Sequence, residues 1–375
     1  MTLREYIENE IRKRGPMPFS RYMELCLYGA AGGEPPGFYS RAREQFGKAG
    51  DFYTSSDVHA VFGRLLARQF DEMWRALGSP ARLDLIELGP GRGLFALDVL
   101  DWAAKKFPKF RRALHVTLVE TSAGLRARLA ERFAQHIADG TVAVVAAIEE
   151  ARPPSEFIVF ANEFFDALPV EVVDHRGELR IGVREGRLVE TFLPPTSQEL
   201  EFLDRYGVHP EEHERVEATL ASLEYLRRIA AALPLSRGFC VFIDYGYTRE
   251  EQLAGRHRDT VMAFRQHAVS NTPYEAPGEQ DITAHVNFTA LMEVGKTLGL
   301  GTIGLVTQSQ FLIGIGEVNE FGDAFEDCKL PQERAKVTLQ LKHLVTPAGM
   351  GETFQVLVLG RGVTREGLSG LKFAR

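Results

Sequence analysis

The stretch Leu85-Ile-Glu-Leu-Gly-Pro-Gly-Arg-Gly-Leu-Phe95 sets a carboxylate, Glu87, two residues ahead of three spaced glycines, Gly89, Gly91 and Gly93. Glycines that follow a buried run let the backbone take positive φ and let a ligand lie against bare main chain. The glycines alone do not choose the ligand, because Gly91-Arg-Gly93-Leu-Phe-Ala96 also satisfies the dinucleotide pattern GxGxxA. Glu87 would repel a diphosphate at that point and suits a cationic amino group. A second acid, Glu120, ends the next apolar run, where a carboxylate can take both hydroxyls of a ribose. An ammonium, a sulfonium and an unphosphorylated ribose together describe S-adenosylmethionine, which the pattern fits better than a nicotinamide dinucleotide.

Methyl transfer from a sulfonium is an in-line displacement at carbon, so a protein mainly aligns the acceptor and excludes water. A protonated acceptor also needs a place for its proton. Glu163 and Asp166, three apart after an apolar run, have the spacing to face one pocket and grip a guanidinium by paired charge-assisted hydrogen bonds. Phe164 and Phe165 between them are candidates for apolar walls or a cation–π face, or simply for core. His267 and His285 are candidate general bases near neutral pH. No metal is expected. No GxSxG turn is present, which leaves nucleophilic hydrolysis without support.

These residues must be held by a scaffold, and the chain reads as one. It has 375 residues, with 44 basic against 51 acidic side chains, a net charge of −7. Its length allows two domains or one elaborated domain. Net acidity without a Lys/Arg block argues against nucleic acid, and no apolar run approaches the ~20 residues of a membrane span. Cys26, Cys240 and Cys328 are too far apart in sequence for a CxxC site, so a reducing, cytoplasmic setting is expected. The N-terminal stripe of Leu3, Tyr6, Ile7 and Ile11 shares its helix with acids, unlike a targeting segment.

Residues 1–80 read as a helical cap with a loop that covers the cofactor. Residues 81–169 read as the first half of a parallel sheet, with strands at Leu83–Leu88, His115–Val119, Thr141–Ala146 and Phe157–Ala161. Residues 170–235 form an insertion: an antiparallel excursion over Val170–Phe192, then a long amphipathic helix marked by Val216, Leu220, Leu223, Leu226, Ile229 and Leu233. Residues 236–375 return to the sheet, with an acceptor-side arm at 246–290 read as a long loop. Gly301–Val306 and Phe354–Leu359 close the sheet as an antiparallel edge pair, giving seven strands in a doubly wound α/β, Rossmann-like architecture.

Further runs carry a resemblance. Gly50-Asp-Phe-Tyr-Thr-Ser-Ser56, Asn162-Glu-Phe-Phe-Asp-Ala-Leu-Pro169, Asp244-Tyr-Gly246, Asp281-Ile-Thr-Ala-His-Val286, Thr307-Gln308 and Met350-Gly-Glu352, with the glycine loop, follow one another as in the MidA family. That family comprises class I S-adenosylmethionine-dependent methyltransferases and includes a mitochondrial arginine methyltransferase that assists assembly of respiratory complex I. The resemblance implies a cofactor site from Glu87, Gly89, Gly91, Gly93 and Glu120, closed by Asn162 and Glu163. It implies that Asp51, Thr54 and Ser55 fold back over the cofactor. The chain departs from the family pattern at Asn287, where Asp is usual, and at Arg64, where Glu is usual; Ser309 and Arg258-Asp-Thr-Val261 depart as well. The loss of an acid and the gain of a cation both speak against a guanidinium acceptor.

Two enzymatic readings follow. One is a protein arginine methyltransferase, implied by the resemblance; the other is a small-molecule O-methyltransferase acting on an enol or phenol, suggested by the departures. A third reading is an assembly factor that keeps the cofactor fold without turnover. The partner is a methyl acceptor in the first two, and homodimerisation is left open.

Overall fold

A computed structural model describes residues 1–29, 35–40, 60–151, 156–265, 268–270 and 272–374. The chain divides into two compact units. Unit 1 holds 1–52, 165–226 and 246–294; unit 2 holds 53–164, 227–245 and 295–375. The helical segment expected over 1–80 is therefore shared, with helices Leu3–Arg14 and Phe19–Tyr28 in unit 1 and helix Ala60–Ala76 in unit 2.

Unit 2 is the doubly wound sheet. Its strands in chain order are β1 (Leu83–Leu88), β2 (Leu114–Val119), β3 (Val142–Val145), β4 (Phe157–Asn162), β5 (Gly238–Tyr247), β6 (Gly301–Thr307) and β7 (Phe354–Arg361). They lie in the order β6-β7-β5-β4-β1-β2-β3. β3, β2, β1, β4 and β5 pair in parallel, and β7 runs antiparallel to both β5 and β6. β6 and β7 thus form the expected antiparallel pair at the sheet edge, with β7 alone reversed and β6 keeping the direction of the parallel strands. All six residues of β1 are buried, as a central parallel strand covered on both faces requires.

The unit 2 core is aromatic. Phe95, in the helix Leu94–Lys106 that follows the glycine loop, stacks on Phe160 of β4 with ring centroids 4.1 Å apart. Phe70 meets both rings edge-on at 6.2 and 5.8 Å. This cluster seats the glycine loop and the end of β4 on one rigid base.

Unit 1 is built on a small antiparallel sheet. Glu171–Asp174, Gly177–Arg184 and Arg187–Leu193 form the expected excursion. Its second turn has φ of 51° at Glu185 and 72° at Gly186, the left-handed pair a two-residue hairpin needs. Arg215–Ala218 is a strand paired with Glu171–Asp174, so the helix expected from Val216 starts only at Leu220 and ends at Ala232. Val216 and Ala218 are fully buried in this strand, and a short apolar alternation there imitates the first turn of the helical stripe. The arm read as a long loop contains helix Arg249–Leu253 and a three-stranded antiparallel sheet of Met262–Arg265, Ala268–Ser270 and Asp281–Thr283. No helix among the described residues is long and apolar enough to cross a membrane.

Replacing Phe160 by alanine would leave a cavity where three aromatic rings meet. Phe160→Ala should destabilise unit 2 by about 3–5 kcal/mol, read as a lowered urea midpoint.

Candidate functional site

The glycine loop leaves β1 at Leu88. Its glycines have φ of 61° at Gly89, 52° at Gly91 and 71° at Gly93, all in the left-handed region. The Gly89 N–H donates to the Val119 carbonyl at the end of β2, 3.0 Å away, tying the loop to the neighbouring strand. The helix starts directly after Gly93, with no side chain capping its first turn. The glycines have different neighbours. A Cβ on Gly93 would lie 2.6 Å from the Phe133 ring and 2.7 Å from Leu129, so close packing requires glycine there. A Cβ on Gly89 would lie 3.0 Å from the ring of Phe164, in the turn after β4.

Glu87 is 4% exposed, and burial pushes its carboxyl up to about 8. Its Oε2 has no hydrogen-bond partner among the described residues. Glu120, just after β2, accepts the Ser122 N–H at 2.8 Å; burial raises it to about 7 against the pull of backbone amides that include Gly91. At the end of β4, the Asn162 amide donates to Glu163 Oε1 at 3.0 Å, while Asn162 Oδ1 is buried without a partner among the described residues. Glu163 itself has φ of 50°, unusual for a residue with a side chain. The carboxyl ends of β1, β2 and β4 in unit 2 are therefore lined with acids and a buried amide. Buried acceptors lacking donors fit a ligand that brings an ammonium and hydroxyls, which tests the cofactor class on this chain's own residues.

Asp244, in β5 just past its pairing with β4, accepts the Phe164 N–H at 3.2 Å and the Tyr245 N–H at 2.9 Å. Sequence reasoning used it only as part of a motif. An acid directly after the apolar run Phe239–Ile243 was the signal available.

Other expected site residues belong to unit 1 or lie outside the described residues. Asp166 belongs to unit 1, where it is buried, and its backbone carbonyl accepts the Ala284 N–H at 3.0 Å. Phe165 is buried in the same unit. His285, also in unit 1, has its Nδ1 3.1 Å from Nδ1 of His257, whose ring stacks on Tyr247. Burial and His257 push His285 down to about 4, so it is uncharged at neutral pH and a weak base there. Asp51, Thr54, Ser55 and His267 lie outside the described residues.

The two departures that spoke against a cationic acceptor have structural roles. Asn287 is 1% exposed; its amide donates to the Tyr206 carbonyl at 2.9 Å, and its oxygen accepts the Ala290 N–H at 2.9 Å in the first turn of helix Phe288–Thr297. An amide can do both, whereas an ionised carboxylate cannot donate. Arg64 pairs with Asp327 at 2.8 Å and lies 4.5 Å from the Trp102 ring centroid, on the outer helices of unit 2. Among the described residues, Glu171, Glu178 and Glu199 gather carboxylate oxygens within 4.8 Å. Each is engaged by Ser20, Arg180 or the Thr196 backbone.

The pH dependence of stability follows from these groups. Unfolded glutamates ionise near ~4.3, whereas folded Glu87 and Glu120 keep their protons up to about 8 and about 7. The folded state thus binds more protons over that interval. This stabilisation is complete below the unfolded value and is lost as pH rises through the folded one. Glu217, raised to about 7, acts with the same sign. His257 and His285, pushed down, act with the opposite sign but only below ~6.5. The denaturation midpoint of the cofactor-free protein should therefore fall from about pH 6.5 to 8, and Glu87→Gln should flatten that slope.

Comparison with known proteins bears on these features. The chain matches the family described as "Putative S-adenosyl-L-methionine-dependent methyltransferase" over residues 65–306. It is 30% identical to a Drosophila melanogaster protein named protein arginine methyltransferase NDUFAF7 homolog, mitochondrial, over 96% of this chain and 85% of that one. It is 27% identical to the human protein arginine methyltransferase NDUFAF7, mitochondrial, over 93% of this chain and 81% of that protein. A crystal structure from Burkholderia thailandensis, a "likely methyl transferase" bound to S-adenosyl-homocysteine, superposes with a TM-score of 0.81 at 28% identity, covering 99% of this chain and 95% of that one. The mitochondrial relatives overturn the expectation of a cytoplasmic protein. Free thiols argue against an oxidising compartment and do not choose among reducing ones. With the family matched over most of the chain, and a close structural relative holding the demethylated cofactor, this protein belongs to the S-adenosyl-L-methionine-dependent methyltransferases and is an enzyme of that class.

Proposed function

We propose that this methyltransferase modifies the guanidinium of an arginine in a protein. The relatives named above as protein arginine methyltransferases support this acceptor. The observation that carries it is Glu163, a carboxylate at the end of β4 in the sheet that bears Glu87 and Glu120, braced by the Asn162 amide at 3.0 Å. The structural roles of Asn287 and Arg64 remove the two objections to a cation.

When bound, S-adenosylmethionine supplies an electrophilic methyl group on a sulfonium. Glu87 would hold its amino group, Glu120 its ribose hydroxyls, and the backbone of Gly89, Gly91 and Gly93 its body. Asn162 closes that end of the site, and Phe164 walls it beside Gly89. Asp51, Thr54 and Ser55 would cover the cofactor, as the family resemblance implies. Glu163 accepts guanidinium N–H bonds and draws positive charge toward itself, so the attacking nitrogen regains electron density. The proton lost by that nitrogen as the N–C bond forms has the Glu163 carboxylate as its nearest acceptor in this scheme. The role of Asp166 as the second arm of the clamp rests on its sequence spacing.

Methyl transfer to arginine-containing peptides, read by mass spectrometry as methylarginine, tests this. Glu163→Gln keeps shape and removes charge. It should lower kcat/KM for the peptide by about 10²-fold, or ~2–3 kcal/mol of transition-state stabilisation, while cofactor affinity holds. Transfer to a small phenol, with arginine peptides inert and Glu163→Gln without effect, would replace the arginine reading with the small-molecule one.

A further inference from the structure

Asp244 is 1% exposed, in β5 just past its pairing with β4, and its two carboxylate oxygens serve two different backbone amides. The Phe164 N–H donates to Oδ2 at 3.2 Å and the Tyr245 N–H to Oδ1 at 2.9 Å. One residue earlier, the Ile243 carbonyl accepts the Glu163 N–H at 2.9 Å. Consecutive residues of β5 thus fasten consecutive amides of the turn after β4. That turn needs fastening, because Glu163 has φ of 50°. A left-handed conformation at a residue with a Cβ is strained and persists only where its surroundings over-determine it. On the far side of the turn, Phe164 reaches the place where a Cβ on Gly89 would stand, 3.0 Å from it.

We propose that Asp244 is a positioning residue for methyl transfer: its carboxylate holds the Asn162–Phe164 turn in the geometry that presents Glu163 to the acceptor and sets Phe164 against the glycine loop. The proposal rests on the reading of Glu163 given above. A carboxylate is required because it offers an acceptor oxygen to each amide. Asparagine offers one oxygen and an NH₂ group, so one of the two N–H groups would face another donor. Removing a buried acceptor leaves the turn without its counterpart and frees Glu163 to relax. Asp244 then acts through Glu163 without touching substrate.

The test uses the full chain with S-adenosylmethionine and N-acetyl-arginine methylamide as guanidinium probe. Asp244→Asn should lower kcat about 10- to 100-fold, as misalignment of a reacting group does, with cofactor affinity by calorimetry changed by no more than about twofold. Exchange of the Phe164 amide should accelerate in the NMR spectrum, while that of Ser122, which is bound to Glu120, should not. The double variant Glu163→Gln/Asp244→Asn should be no slower than the slower single variant, because both act through one group. Asp244→Glu, with both acceptors on a longer arm, should recover part of the rate; if Asp244→Asn does not fold, reduced kcat with intact cofactor affinity in Asp244→Glu carries the same test. Additive losses, an unchanged kcat, or parallel loss of cofactor affinity would overturn the positioning role. If Glu163→Gln slows transfer and Asp244→Asn does not, the arginine reading stands and this inference fails. If Glu163→Gln has no effect, the reading itself fails.

Discussion

A carboxyl group buried at the end of an apolar strand, with no cation beside it, keeps its proton, because desolvation of the ionised form has no compensation. Among the described residues Glu87 is in that state, buried at the end of β1. β1 is central, covered on both faces and flanked by β2 and β4, so its last side chains are buried. The same constraint raises Glu120 at the end of β2. In the proposed function, a ligand's ammonium would relieve the first acid and its vicinal hydroxyls would meet the second. In the proposed assignment these two acids form the cofactor site at one edge of the sheet, above the stacked Phe95 and Phe160 rings.

Backbone strain enters at the same edge. The glycine loop turns through three left-handed residues at little cost, whereas the turn after β4 places Glu163 in the left-handed region despite its side chain. Hydrogen bonds from Ile243 and Asp244 of the next strand hold it there. The sheet thus fixes the backbone from which the Glu163 side chain departs, as its proposed role requires.

Unit 1 shows how a polar substitution can be misjudged from composition. Asn287 in place of an acid looks like a lost charge. In the fold it caps a helix and ties Tyr206 through the same amide, so its chemistry is that of a donor and an acceptor in fixed geometry. Arg64 looks like a gained charge facing a substrate, yet Asp327 and the Trp102 ring account for it. The histidine pair is similar: a neutral-pH base by residue type, His285 is held uncharged by burial against His257.

The sequence by itself determined the parallel sheet, the glycine loop and the two strand-end acids, because each depends on local order: apolar runs of strand length, glycines where φ turns positive, and carboxylates a fixed number of residues from a strand end. The hairpin turn at Glu185-Gly186 was legible for the same reason. What needed tertiary structure was whatever depends on a neighbour distant in the chain. Val216 joined a strand and not a helix because Glu171–Asp174 supplied an edge to pair with. The arm became a small sheet because its three short strands found one another. β6 kept the parallel direction because β7 inserted between it and β5. Asp244 acquired its role only through amides of a turn far away in sequence. Residue type sets which hydrogen bonds and charges a side chain can offer; the fold decides which partner is within reach, and so which of those offers is taken.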